Sequence, residues 1–103
     1  YIPTDNTMAS STETIKNIVV PAGIPVIAGE EGICKGCGVA TLSISYEDLG
    51  RTTGERASEI LTQGADISTM DVRFAPNVTK KYNAAICEEL GITPPEGYEA
   101  IAE

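Results

Sequence analysis

The sequence predicts an α/β fold of parallel βαβ-type layers, and three observations carry that prediction. Short β-branched runs at Tyr1–Thr7, Ile24–Ala28 and Val39–Ile44 alternate with stretches of helical periodicity. Pro and Gly punctuate the junctions, at Pro21, Gly23, Gly29, Gly64 and Gly91. A strand, a helix and a second strand in that order close most simply as a parallel unit.

The elements follow in order. Tyr1-Ile2-Pro3-Thr4 reads as a strand end that breaks into Asp5, Asn6 and Thr7. From Thr7 to about Val20, the apolar positions Met8, Ile15, Ile18 and Val19 mark one amphipathic helix, stopped by Pro21 and Gly23. Ile24–Ala28 is a continuous apolar run, as expected of a strand buried on both faces. Gly32-Ile33-Cys34-Lys35-Gly36-Cys37-Gly38 reads as a glycine-rich loop, and Val39–Ile44 as the next strand. Ser45 to about Thr62 carries the strongest helix signal, with Ser45 as N-cap, Asp48 as its acidic box partner and Gly64 past the end. Gly50 and Gly54 inside it cost ~1 kcal/mol each against Ala, which implies a close packing contact. Met70–Ala75 alternates like a half-buried strand, with 77–82 extending it irregularly. Asn83 caps a short helix to about Leu90, Gly91 ends it, and Tyr98–Glu103 is a tail.

Composition narrows the function. The chain has 103 residues, one domain's worth, with 7 basic against 15 acidic side chains and a net charge of −8. That balance repels phosphate backbones, so nucleic acid is not an expected partner. No apolar run reaches the ~20 residues of a membrane span, and none has a signal peptide's basic flank. The chain starts in mid-strand at Tyr1 without an initiator Met, and so reads as a piece of a longer protein.

Catalytic constellations are sparse. The sequence contains no His, which removes ordinary Ser-His and Cys-His nucleophile activation. No Gly-x-Ser-x-Gly elbow, dinucleotide fingerprint or P-loop occurs. No cofactor and no metal are expected, since Cys34 and Cys37 alone lack the four ligands of a structural zinc site. The Cys34/Cys37 pair reads as a local disulfide or two idle thiols, and Cys87 as core. A thiol-redox module is the remoter rival. The chain is therefore expected to bind and not to catalyse. Two strand ends supply the candidate contacts: Asp5, Asn6 and Thr7 at the first, Glu30 and Glu31 at the second. Each set has a plain alternative, helix capping for the first and a solvated turn for the second.

The order Tyr1-Ile2-Pro3-Thr4-Asp5-Asn6-Thr7, Ile24–Gly32, Tyr46–Gly54, Ile60-Leu61, Tyr82-Asn83 and Leu90–Pro95 resembles the ABC-transporter substrate-binding proteins of the tryptophan/tyrosine type. The resemblance covers essentially the whole chain and corresponds to the C-terminal third of such a receptor. It implies a type I periplasmic-binding-protein fold, two lobes that close on a small solute such as tryptophan or tyrosine, and a membrane permease as partner. It implies location at the outer face of the cell membrane or in the periplasm, with the parent lipid-anchored. Residues 1–29 and 70–103 would belong to the C-terminal lobe, and 39–63 would be an arm of the N-terminal lobe. Asp5, Asn6, Thr7, Glu30, Glu31 and Tyr46 then match cleft-facing positions. Without the rest of the N-terminal lobe, Leu42, Ile44, Leu49, Ile60 and Leu61 would be left uncovered, so the arm would repack or swap between copies. The alternative function is a small-molecule sensor domain of a regulator.

Overall fold

A computed structural model describes residues 1–102. Helices α1 (Asn6–Ser10) and α2 (Thr12–Val19) precede strand β1 (Ile27–Ala28) and helix α3 (Glu31–Cys37). Strand β2 (Ala40–Ile44) and helix α4 (Tyr46–Gln63) follow, then β3 (Val78–Tyr82), α5 (Ala84–Glu89) and β4 (Glu99–Ala100). The sheet order is β1-β2-β3-β4. Strand β1 pairs parallel with β2, and β3 with β4, through Ile27↔Ala40 and Lys81↔Glu99. Between β2 and β3 the Asn83 N–H donates to Val39 O at 3.0 Å, and the Ser43 and Thr79 hydroxyls meet at 3.1 Å. Rising numbers on one strand match falling numbers on the other, so this pair runs antiparallel. An isolated parallel bridge, Ile2↔Ala28, adds the opening segment beside β1.

The chain divides into two compact units: Tyr1–Ser43 with the residues from Thr79 on, and Ile44–Val78. Among the described residues, the first holds the whole buried core. One cluster joins Val20, Val39, Ala40, Ile86 and Cys87, and another joins Ala28, Ile33, Cys34 and Cys37 with Ile2, Ile15 and Ile101 against it. In the second unit, α4 starts as its capping signature predicts, with Asp48 N–H donating to Ser45 Oγ at 3.2 Å, and ends on Gly64 at φ 66°. It buries no residue; Leu61 is 82% exposed, Phe74 84% and Val72 82%.

Several expectations are corrected. The expected helix from Thr7 is two helices, broken at Ser11, whose φ −115°, ψ 13° leaves the helical region. The expected glycine-rich loop is helix α3. Its Gly36 serves packing, because a Cβ there would lie 2.4 Å from the Thr12 side chain. Ile24–Ala28 forms only a two-residue strand, with Val26 and Ala28 buried but Ile24 and Ile27 exposed. Pro25 has no N–H to give a ladder, which shortens the pairing. Met70–Ala75 is not a strand; a single 3-10 turn at Ile67–Thr69, capped by Asp66, leads into irregular chain. Its alternation reflects no ladder, only scattered apolar groups. The expected tail instead contributes β4, anchored by Lys81 Nζ to Glu99 Oε2 at 2.9 Å, while Glu103 lies outside the described residues. Gly50 and Gly54 face open space, so no contact among the described residues requires them.

Candidate functional site

Two strand ends lie side by side because the opening segment and β1 are stitched together. The Ile2 N–H donates to Ile27 O at 2.9 Å, and the Gly29 N–H to Ile2 O at 2.7 Å. The Thr4 hydroxyl then donates to Gly29 O at 3.3 Å. The backbones approach so closely that a Cβ on Gly29 would lie 2.8 Å from Thr4 N. Glycine is the residue that tolerates such an approach. Thr4 and Gly29 thus position both turns, although neither was among the expected contacts. The readable signal was a glycine directly between a strand and an acidic cap.

Each strand end passes into a helix through an acidic N-cap. Asp5 is extended, at φ −151°, and its Oδ1 accepts from Met8 N–H at 2.9 Å. Glu30 does the same for α3, its Oε2 accepting from Gly32 N–H at 2.8 Å and its Oε1 from Ile33 N–H. Both carboxylates therefore satisfy helix donors that would otherwise be orphaned. An ionised carboxylate has about four acceptor sites, so capping leaves lone pairs for a further donor. Asn6, Thr7 and Glu31 are exposed, and their side chains make no hydrogen bond among the described residues. The structure brings Asp5, Asn6, Thr7, Glu30 and Glu31 to neighbouring turns at the carboxyl end of parallel strands. Such an end is where open α/β sheets take ligands. Four acceptor groups and one amide suit a small cationic or zwitterionic solute.

Tyr46 belongs to the other unit, as the exposed first residue of α4. In that unit a cavity of about 470 Å3 is lined by Asp48, Arg51, Thr52, Arg73 and Phe74 among others, and not by Tyr46. Beside it Glu59 pairs with Arg56 at 3.0 Å and Arg73 at 3.1 Å. The Arg56 hydrogen bond, with the Arg73 charge, holds the Glu59 carboxyl below its usual range.

Of the two alternatives for Cys34 and Cys37, a local disulfide or idle thiols, the structure has the free thiols. Cys34 and Cys37 are free, buried thiols three residues apart on α3, and Cys87 is free and buried on α5. Burial raises all three thiols above their ordinary range, Cys34 to about 12. That is the reverse of the activated thiol a redox site needs. Among the described residues, no group of three or more His, Cys, Asp or Glu side chains is placed to hold a metal. No described helix is long and apolar enough to cross a membrane.

The chain is 38% identical over 72 residues to a tyrosine-binding protein of Clostridioides difficile, a match covering 70% of this chain and 21% of that protein. It superimposes on the ligand-free, open structure of a substrate-binding protein with adhesive properties from Clostridium difficile with a TM-score of 0.76 at 36% identity. That match covers 99% of this chain and 36% of the other. The ABC domain in complex with L-Trp from Streptococcus pneumoniae matches with a TM-score of 0.77 at 29% identity, covering 94% of this chain and 35% of the other. The chain therefore spans about a fifth to a third of the length of these relatives. A family model described as ABC transporter substrate binding protein matches residues 1–103, from end to end, and the chain belongs to that family.

Proposed function

We propose that this chain is part of the extracytoplasmic receptor of an ABC importer, and that the receptor captures an aromatic amino acid between two lobes. The observation that carries the proposal is the pair of adjacent turns at Asp5–Thr7 and Glu30-Glu31, joined through Thr4 and Gly29. The carboxylates receive the ligand's ammonium group, and Asn6 with Thr7 receives its carboxylate or a polar side chain. Tyrosine or tryptophan is the cargo favoured by the tyrosine-binding relative and the L-Trp complex. In this reading Tyr46 belongs to the second lobe, carried by the unit Ile44–Val78, while the unit of Tyr1–Ser43 and the residues from Thr79 on belongs to the C-terminal lobe. The division of the chain into two compact units at Ile44 and Val78 supports two lobes. The receptor would work at the outer membrane face or in the periplasm, lipid-anchored, and deliver its solute to a membrane permease.

The same reading explains the exposed apolar groups. Leu42, Ile44 and Leu61 are exposed, and Leu49 and Ile60 half-buried. The isolated chain should therefore associate with copies of itself through the arm, an outcome checked by sedimentation across a concentration series.

Calorimetric titration of the full-length protein with tyrosine, tryptophan and the other common amino acids tests the function. Saturable binding of an aromatic amino acid, weakened about tenfold or more in Asn6→Ala with Glu31→Gln, is expected; tenfold corresponds to ~1.4 kcal/mol. Binding that the double variant leaves intact would remove these residues from the site. Failure of every amino acid to bind would remove the cargo.

A further inference from the structure

The first unit contains a cavity of about 210 Å3 that none of the expected contacts lines. Its wall includes Lys16, Lys35, Asn83, Ile86 and Ile101, and no carboxylate among the described residues. In a chain with 15 acidic and 7 basic side chains, an acid-free lining with two lysines runs against the composition. The ion pairs sharpen this. Arg51, Arg56, Arg73 and Lys81 each meet a carboxylate within 2.9 to 3.1 Å. Lys16, Lys35 and Lys80 meet none among the described residues, and two of these three converge on the cavity.

Both lysines sit in the last turns of their helices, α2 and α3, where a cation complements the dipole wherever its side chain points. Convergence on one cavity is the additional fact. The framework around it is fixed: the Asn83 amide donates to Lys35 O at 2.9 Å and Cys34 O at 3.3 Å, and Asn83 Oδ1 accepts from Ile86 N–H at 3.1 Å. Lys35 Nζ donates to Ala102 O at 3.0 Å, which holds the closing segment as one wall and leaves two ammonium donors. Ala84, Ala85, Ile86 and Ile101 add apolar lining to the same cavity.

We propose that this cavity is a second binding site, for a small organic carboxylate with a short apolar tail. Lys16 and Lys35 hold the head group, and Ile86 with Ile101 cover the tail. The volume suits a few heavy atoms, and a lining of two lysines with apolar residues selects an amphipathic anion over a bare one. The site is independent of the turns at Asp5 and Glu30, so either proposal can fail without the other.

Amide chemical shifts of the isotope-labelled full-length protein test it, in titrations with butyrate, butyramide and inorganic phosphate at low ionic strength. Butyrate is expected to move the amides of Lys35, Ala84, Ala85, Ile86 and Ile101 saturably. Butyramide, which lacks the charge, should not move them, and phosphate, which lacks the tail, should bind more weakly. The variant K16Q/K35Q, two changes on partly exposed side chains, should weaken butyrate about tenfold while the remaining amides keep their positions. Three results would overturn the proposal: no saturable butyrate response, an undiminished response in the variant, or equal binding of phosphate. Tyrosine titrated into the same sample reports separately on the first site.

Discussion

Gly29→Ala puts a methyl group where two backbones nearly touch. The new Cβ would lie 2.8 Å from Thr4 N and 3.1 Å from both Pro3 C and Pro3 Cα. All three are backbone atoms, so no side chain can swing aside. Reaching an ordinary contact of ~3.5 Å requires the turns to part by roughly 0.7 Å. That shift strains the two hydrogen bonds that stitch Ile2 to β1, now 2.9 and 2.7 Å long. Overpacking costs ~1–3 kcal/mol and each of the two weakened hydrogen bonds ~1 kcal/mol, which predicts a loss of about 3–5 kcal/mol. Urea unfolding measures it, with Gly50→Ala and Gly54→Ala as controls. Those glycines face open space in a helix interior, so the same substitution should stabilise by up to ~1 kcal/mol each. A Gly29→Ala protein as stable as the parent would refute the close-approach argument, and so would a loss of equal size at Gly50. If the turns do form the ligand site, Gly29→Ala should also weaken amino-acid binding by parting them.

Asn83→Ala removes two donated bonds and a cap, and should cost ~2–3 kcal/mol in urea unfolding, whereas Asn83→Asp keeps the cap and should cost less. Thr41 Oγ1 is buried without a partner among the described residues, so Thr41→Val should raise stability by ~1 kcal/mol. Burial, followed by the charges of Cys87, Cys37, Glu31 and Glu30, pushes the Cys34 thiol from 9.0 up to about 12. The folded state thus keeps a proton that the unfolded state releases. The stability this gives is complete below pH 9.0 and falls as pH rises toward about 12, by up to ~1.4 kcal/mol per pH unit. Urea unfolding above pH 9.0 should show that decline, and Cys34→Ala should flatten it. Iodoacetamide should label Cys34, Cys37 and Cys87 only as fast as the protein opens, and rapid labelling of native protein would contradict their burial.

Elements with a complete local signature were legible in the sequence. Helix α4 could be read from Ser45 to Gly64 because its cap and its terminating glycine act within a few residues. Asn83 as cap and Gly91, at φ 65°, as terminator made α5 legible in the same way. Helix α3 was hidden because its glycines resemble a loop, and the reason for Gly36 lies at Thr12, distant in sequence. The closing strand β4 was hidden because two residues carry no periodicity, and only pairing with Lys81 and Tyr82 makes Glu99–Ala100 a strand.

By itself the sequence determined the α/β class, the acidic turns after two strands and the family, since each rests on local pattern or on motif order. Tertiary structure alone decided that Asp5 and Glu30 cap helices side by side. It also decided that three thiols are buried and free, and that Lys16 and Lys35 share a cavity. These depend on which distant backbones come within bonding distance, a property of packing that no window of neighbouring residues encodes.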